Sequence, residues 1–298
     1  MSNAPRDLKA AWLVACAALT LLPHAVQAAG DDVASYAVET EIKLVSDQRT
    51  RGVSDSMRGP GVQMSVQLAH ESGVIALAQL ASVSKKYYTN SDGYNLLLAT
   101  GYRFGDPEAW HFGVGVAAEF FPGAKFDAPY AFDMATGTPT DFRNTNYNTR
   151  YLVLEAGWGA IEGRVLSVLS DAYRGANTGG VCAQMLAFMA DPTQALQCYA
   201  RGEHGVRGSV LLDLGYKVTV APRTQLTFHA GYQRVKHFSE ANFADYAVGI
   251  THKAWGVQWT AEWMKANTRV RELYQALDGD HVKAADKQTV VLSAAYKF

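Results

Sequence analysis

Residues 110–120 read Trp110-His111-Phe112-Gly113-Val114-Gly115-Val116-Ala117-Ala118-Glu119-Phe120. Successive side chains of a strand point to opposite faces. Trp110, Phe112, Val114, Val116, Ala118 and Phe120 therefore share one face. His111, Gly113, Gly115, Ala117 and Glu119 share the other. One face is apolar with aromatic ends, and the opposite face is small or polar.

The same period recurs. Val210, Leu212, Leu214, Tyr216, Val218 and Val220 alternate with Leu211, Asp213, Gly215, Lys217 and Thr219. Leu226, Phe228, Ala230 and Tyr232 alternate with Gln225, Thr227, His229, Gly231 and Gln233, and Val257, Trp259, Ala261 and Trp263 with Gln258, Thr260 and Glu262. Twelve segments read as strands: 34–46, 62–70, 74–84, 93–103, 110–120, 148–158, 163–173, 207–220, 224–234, 244–253, 256–266 and 287–298. Segments 74–84 and 163–173 carry apolar residues on both faces. Most have the roughly 9–11 residues a tilted membrane-spanning strand needs. The connections alternate between long and short, and the short ones hold turn chemistry, as in Glu71-Ser72-Gly73, Gly105-Asp106-Pro107 and Ala221-Pro222-Arg223. A soluble sandwich needs no such alternation, and nothing would cover its apolar outer face. The expected fold is all-β: a transmembrane antiparallel barrel of about twelve strands, with short periplasmic turns and long outer loops. Hydrocarbon forces closure, because an open edge leaves backbone groups unpaired at several kcal/mol each.

Composition agrees. The 298 residues carry a formal net charge of −1 and are 48% hydrophobic. The mean hydropathy of −0.09 is far below that of a multi-span helical protein and suits a barrel with a polar lumen. Nothing marks a nucleic-acid partner. Arg6 and Lys9 followed by the apolar run 10–22 and Val26-Gln27-Ala28 predict a signal peptide over 1–28, cut after Ala28. The barrel domain is then 29–298. A lipoprotein signal at Leu13-Val14-Ala15-Cys16 is the rival, but it would leave an apolar run behind the cut. Export leaves Cys182 and Cys198, which in an oxidising compartment most simply form one disulfide. No cluster with metal-ligand spacing and no cofactor motif is present in the sequence.

Residues 289–298 place Val290, Leu292, Ala294, Tyr296 and Phe298 on one face, ending on a terminal aromatic. That resembles the signature read by the outer-membrane assembly machinery, a partner engaged through Phe298. Aromatics fall where interfacial girdles are expected: Tyr36, Tyr102, Trp110, Phe112, Trp158, Tyr216, Tyr296 and Phe298 near the turn end, and Tyr94, Phe120, Tyr151, Tyr173, Tyr232, Tyr246 and Trp263 near the loop end. Lipid and lipopolysaccharide of the outer membrane are the expected surroundings.

Residues 44–84 carry Ser46, Asp47, Arg49, Arg51, Gly52 and Ser54, then Ala69-His70-Glu71-Ser72-Gly73 at a hairpin turn. This stretch resembles the TorF-type porins. Gln48 and Thr50 stand where that family carries aromatics. The resemblance implies an outer-membrane barrel and suggests a channel, without naming a solute.

A polar inner face would present Glu39, Glu41, Lys43, Arg103, His111, Glu119, Glu155, Asp171, Asp213, Lys217, His229, Lys253, Glu262 and Lys297 to the lumen. The expected function is a passive or gated channel for small polar solutes, with a slight cation preference from the surplus of acids. Asp47, Arg49 and Arg51 either form a charged pore mouth or brace a turn by ion pairs. The spacing of Met185, Leu186, Phe188 and Met189 suits one or two helical turns between the cysteines, which either form a disulfide-closed lid over or into the mouth or pack among the outer loops without gating. Two other readings stand beside the channel. One is a filled structural or adhesive barrel using loops 121–147 and 174–206. The other is an acyl-hydrolase using His70 and Ser72, two residues apart, with Ser72 as nucleophile. The second lacks an orienting carboxylate and falls in a short turn, so no enzyme is expected.

Overall fold

A computed structural model describes residues 36–106 and 109–298. The predicted signal peptide lies outside them. Twelve antiparallel strands close into one barrel. In chain order they are β1 Tyr36–Val45, β2 Gly61–His70, β3 Val74–Ser82, β4 Tyr94–Gly105, β5 Trp110–Phe120, β6 Thr149–Trp158, β7 Ile161–Val168, β8 Val210–Ala221, β9 Thr224–Arg234, β10 Phe243–Ala254, β11 Val257–Thr268 and β12 Thr289–Lys297. Each strand pairs with its sequence neighbours, and β1 closes on β12 with Glu41 opposite Lys297 and Lys43 opposite Ala295. Closure removes the edge that an open sheet would expose.

The alternation decides which way each residue faces. On β5, Trp110 is 58% exposed while the next residue, His111, is 7% exposed. Leu44, Leu98, Val116, Leu154, Leu214 and Leu292 are likewise exposed, each on a different strand. An apolar belt running around a whole barrel has no place in water. Lipid must cover it, so the barrel spans a membrane with its strands. No helix of the described residues is long and apolar enough to cross one.

Three of the short turns, at 71–73, 159–160 and 222–223, lie at one end with 255–256. The long connections 46–60, 121–148, 169–209 and 269–288 lie at the other. They are folded rather than loose. Residues 121–148 form a hairpin, Lys125–Asp133 with Thr138–Asn146. Residues 169–209 form α1 (Thr178–Phe188) and α2 (Thr193–Ala200). The expected helical turns are thus two helices, linked by the disulfide Cys182–Cys198 with Cα atoms 5.5 Å apart. Asn177 caps α1 by accepting from the Gly180 amide at 2.8 Å. Both cysteines are buried with Val181, Met185, Ala195, Tyr199, Val206 and Phe238 in one apolar core.

β7 leaves the sheet well before its sequence pattern ends. β7 ends at Val168, where the chain leaves the sheet and Ser170 Oγ donates to Ala172 O at 2.7 Å. Asp171 is therefore not on the inner face of a strand; it pairs with Arg207 on the exposed loop surface. Tyr151 and Tyr173 are not girdle aromatics. Tyr151 stands opposite Ala117 on the inner face, and both rings join the buried core beneath the helices. The other expected girdle residues are exposed.

Candidate functional site: the barrel mouth and lumen

The first outer connection folds into the barrel. A small hairpin, Arg49–Thr50 against Val53–Ser54, turns on Arg51 and Gly52. Their φ values of 52° and 75° are both positive, as the tight turn of a right-twisted hairpin requires. A Cβ on Gly52 would lie 2.9 Å from the backbone nitrogen of Ala266 on β11. Glycine alone lets the turn press against the wall there, and Arg51 is thrown inward. Its Nη1 donates to Asp213 Oδ1 on β8 at 2.6 Å, and its Nη2 lies 2.9 Å from Asp245 Oδ2 on β10. His229 Nε2 is 2.7 Å from the other Asp245 oxygen. Gly231 of β9 makes the room: a Cβ there would sit 2.5 Å from Asp245 Oδ2 and 2.6 Å from Arg51 Nη2. Asp47 accepts from Arg49 Nε at 2.7 Å and from Ser54 Oγ at 2.5 Å, and all three are largely buried. These two charges brace the hairpin, whereas Arg51 crosses to the lumen wall.

A second buried cluster joins three outer connections. Arg174 Nη2 donates to Asp55 Oδ1 at 2.9 Å, and its Nε lies 3.3 Å from Glu119 Oε2 of β5. Tyr88 and Thr50 donate to Asp55, at 2.5 and 2.6 Å. Asn95 and Tyr151 donate to Glu119, at 2.8 and 3.3 Å. Burial works against the Arg174 charge, but Asp55 and Glu119 offset it and hold its pKa above the ordinary arginine value. Burial pushes the Tyr88 phenol well up and the Tyr173 phenol to about 12, so both stay proton donors. Tyr173 donates to Gln233 on β9 at 2.9 Å.

Toward the turn end, Arg103 Nε donates to Glu155 Oε1 at 2.9 Å and Arg164 Nε to Glu155 Oε2 at 3.0 Å; Arg164 also pairs with Glu162. His111 Nε2 is 4.0 Å from Glu155. Lys297 reaches Glu39 at 2.7 Å and Glu41 at 3.8 Å. Lys43, Lys217, Lys253 and Glu262 also face inward, by register.

Two spaces flank the loop-borne cations. The lumen holds a cavity of about 450 Å³, bordered by Leu77, Leu97, Val153, Leu166 and Leu211 among others. Outside it lies a vestibule of about 340 Å³ with Tyr87, Tyr88, Tyr147 and Tyr274 in its lining. Thr50, Arg51, Tyr173 and Arg174 border both. They form the layer between the two spaces, and all four come from connections rather than strands.

Several of these residues carry no signal in the sequence. Asp55 and Arg174 sit in long connections without period. Arg164 lies on a strand whose apolar residues occupy both faces, which hides the direction of its side chain. Asp245 is the exception: it alternates with Tyr246 on β10 and is legible by period.

His70 and Ser72 do meet, Nδ1 to Oγ at 2.8 Å. The same Nδ1 also lies 3.1 Å from the Ser72 amide. The ring nitrogen is therefore occupied as the acceptor that closes the β2–β3 turn. Among the described residues, no group of three or more His, Cys, Asp or Glu side chains is arranged to hold a metal ion.

A family model described as bacterial protein of unknown function (Gcw_chp) matches residues 28–296. No curated protein matches the sequence. Among solved structures, the chain is similar to a KdgM porin at 8% identity, covering 87% of this chain and 99% of that one, with a TM-score of 0.44. It is similar to the COG4313 outer membrane channel from Pseudomonas putida F1 at 13% identity, covering 90% and 97%, with a TM-score of 0.39. The Acinetobacter baumannii outer membrane protein Omp33 follows at 10% identity, covering 88% and 98%, with a TM-score of 0.36. Identities this low bring no activity with them.

Proposed function

Because the chain belongs to the Gcw_chp family of bacterial proteins, whose function is unknown, the barrel itself must supply the reading, and we propose a gated outer-membrane channel for small solutes. One observation carries it: Thr50, Arg51, Tyr173 and Arg174, which separate vestibule from lumen, belong to connections outside the strand ladder of the wall. A barrel closed by its wall would be filled by strand side chains. The apolar belt and the TorF-type resemblance of residues 44–84 support the outer membrane, with the turns in the periplasm and the helices outside. The inward acids Asp213, Asp245 and Glu119 accompany Arg51 and Arg174, which favours cations over anions at the layer.

Single-channel conductance of the refolded chain across a salt gradient tests this. Discrete steps with a cation-selective reversal potential are the expected result. The density of ion pairs across the mouth favours a second reading, a filled structural barrel. A folded barrel that stays silent, both as it is and with Arg51 and Arg174 replaced by alanine, would decide for that reading.

A further inference from the structure

The lipid-facing side of the barrel carries charge at one end only. Among the described residues, the outward positions of the twelve strands hold no Asp or Glu and three fixed cations: Arg150 on β6, Arg234 on β9 and Lys265 on β11. All three stand near the loop ends of their strands, and the turn end of the same face holds none. The cost of a cation on this face falls to near zero at both interfaces, so solvation alone would accept either end. An anionic layer on the loop side selects the placement seen.

A second observation locates a site. An open recess of about 370 Å³ lies at the loop end of β11 and β12, bordered by Lys265, Asn267, Arg271, Lys287 and Gln288. The acid in its lining, Asp286, has a side chain only 3% exposed, and it already accepts from Arg271 Nε at 3.2 Å and from Thr268 Oγ1 at 2.7 Å. Lys265 and Lys287 meet no carboxylate among the described residues. Three cations against one enclosed carboxylate leave the recess positive. Next to it, one outward step nearer the turn end, Trp263 and Val290 face each other across the same two strands and are exposed. The positive recess therefore runs straight into the apolar belt.

Resting on the outer-membrane placement given above, we propose that this recess binds a phosphate of lipopolysaccharide, the anionic glycolipid of the outer leaflet. Lys265, Arg271 and Lys287 take the phosphate oxygens in charge-assisted hydrogen bonds, and the acyl chains lie along Trp263 and Val290. A free phosphate ion would meet the cations but gain nothing from the belt, so the occupant is the amphiphile.

Three probes separate the terms: lipid A with its phosphates, lipid A stripped of them, and phosphatidylglycerol. Binding to the refolded full chain in neutral detergent micelles is measured by native mass spectrometry, and single-channel conductance of the same preparation is recorded separately. Phosphorylated lipid A is expected to bind about tenfold or more tightly than either other probe, and inorganic phosphate should not displace it. Replacing the two unpaired cations together, Lys265→Gln with Lys287→Gln, should weaken it about tenfold. Arg150→Gln, outside the recess, should leave it unchanged. The comparison of probes on the unaltered chain carries the test if the double variant fails to fold. Equal binding of phosphorylated and stripped lipid A, equal binding of phosphatidylglycerol, or as large a loss from Arg150→Gln as from the double variant would overturn the proposal. A conducting barrel that ignores the phosphates removes the site and leaves the channel. A silent barrel with phosphate-dependent binding removes the channel and supports the site.

Discussion

Arg51, at the tip of the first outer hairpin, donates to Asp213 of β8 at 2.6 Å across a sequence distance of 162 residues. The contact turns a surface connection into part of the lumen. The guanidinium side chain is 8% exposed and also faces Asp245, whose side chain is 2% exposed. Removing Arg51 leaves the buried Asp245 and the partly exposed Asp213 with His229 beside them in place of the guanidinium.

Arg51→Ala should widen the layer between vestibule and lumen and make it more acidic. Conductance is expected to rise several-fold, and the reversal potential in a salt gradient to move further toward cations. Unchanged conductance and selectivity would show that Arg51 does not lie on the conducting path.

Gly231→Ala should act from β9 without touching a charge. Its new methyl would enter the space of Asp245 Oδ2 and Arg51 Nη2, 2.5 and 2.6 Å from the ideal Cβ position. The expected phenotype follows that of Arg51→Ala. A variant indistinguishable from the parent in the same bilayer recording would mean that the pair relaxes freely around the methyl.

The disulfide is enclosed, with Cys182 and Cys198 at 0% and 1% exposure. It should resist a water-soluble reductant in the folded barrel and yield after denaturation, read by alkylation and mass. Replacing both cysteines with serine should loosen the helical cap by about 3 kcal/mol, the value for a loop of this size. Faster proteolysis within 169–209, with the barrel intact, is the expected readout.

High pH should release the mouth. Burial raises the pKa of Tyr88 and Tyr274 well above the ordinary value and that of Tyr173 to about 12. A phenol raised in the folded state contributes its full stability below pH 10. That contribution is lost as pH climbs through the folded value, for Tyr173 between about 10 and 12. Absorbance titration near 295 nm should therefore show a group of tyrosines ionising normally and a second group only as the cap loosens. One uniform step near pH 10 would contradict the burial of these rings.

The belt makes a mutational contrast. Leu154→Arg, at an outward position of β6, should lower folding into vesicles by about 2–4 kcal/mol. Gln67→Arg, facing inward on β2, should cost little. Heat-modifiable mobility on a gel reads the folded fraction of each, and equal losses would refute the assigned facing.

What the sequence by itself determined is the barrel: strand number, the alternation of long and short connections, and facing wherever only one face of a strand is apolar follow from a period of two that lipid imposes on one face and the lumen on the other. Val114 and Leu154 had to face outward whatever the loops did. The disulfide was legible too, because only two cysteines follow the predicted leader. The mouth was decided by tertiary structure. Asp55, Arg174 and Arg51 sit in connections whose residues obey no period, and their partners lie on strands far along the chain. Only closure of the barrel brings β5, β8 and β10 around one space, so only then do Glu119, Asp213 and Asp245 become the charges that draw those loops inward. The leucines bordering the lumen cavity fall between the two: β3 and β7 showed apolar residues on both faces, but which face met lipid was fixed by the register with β4 and β6.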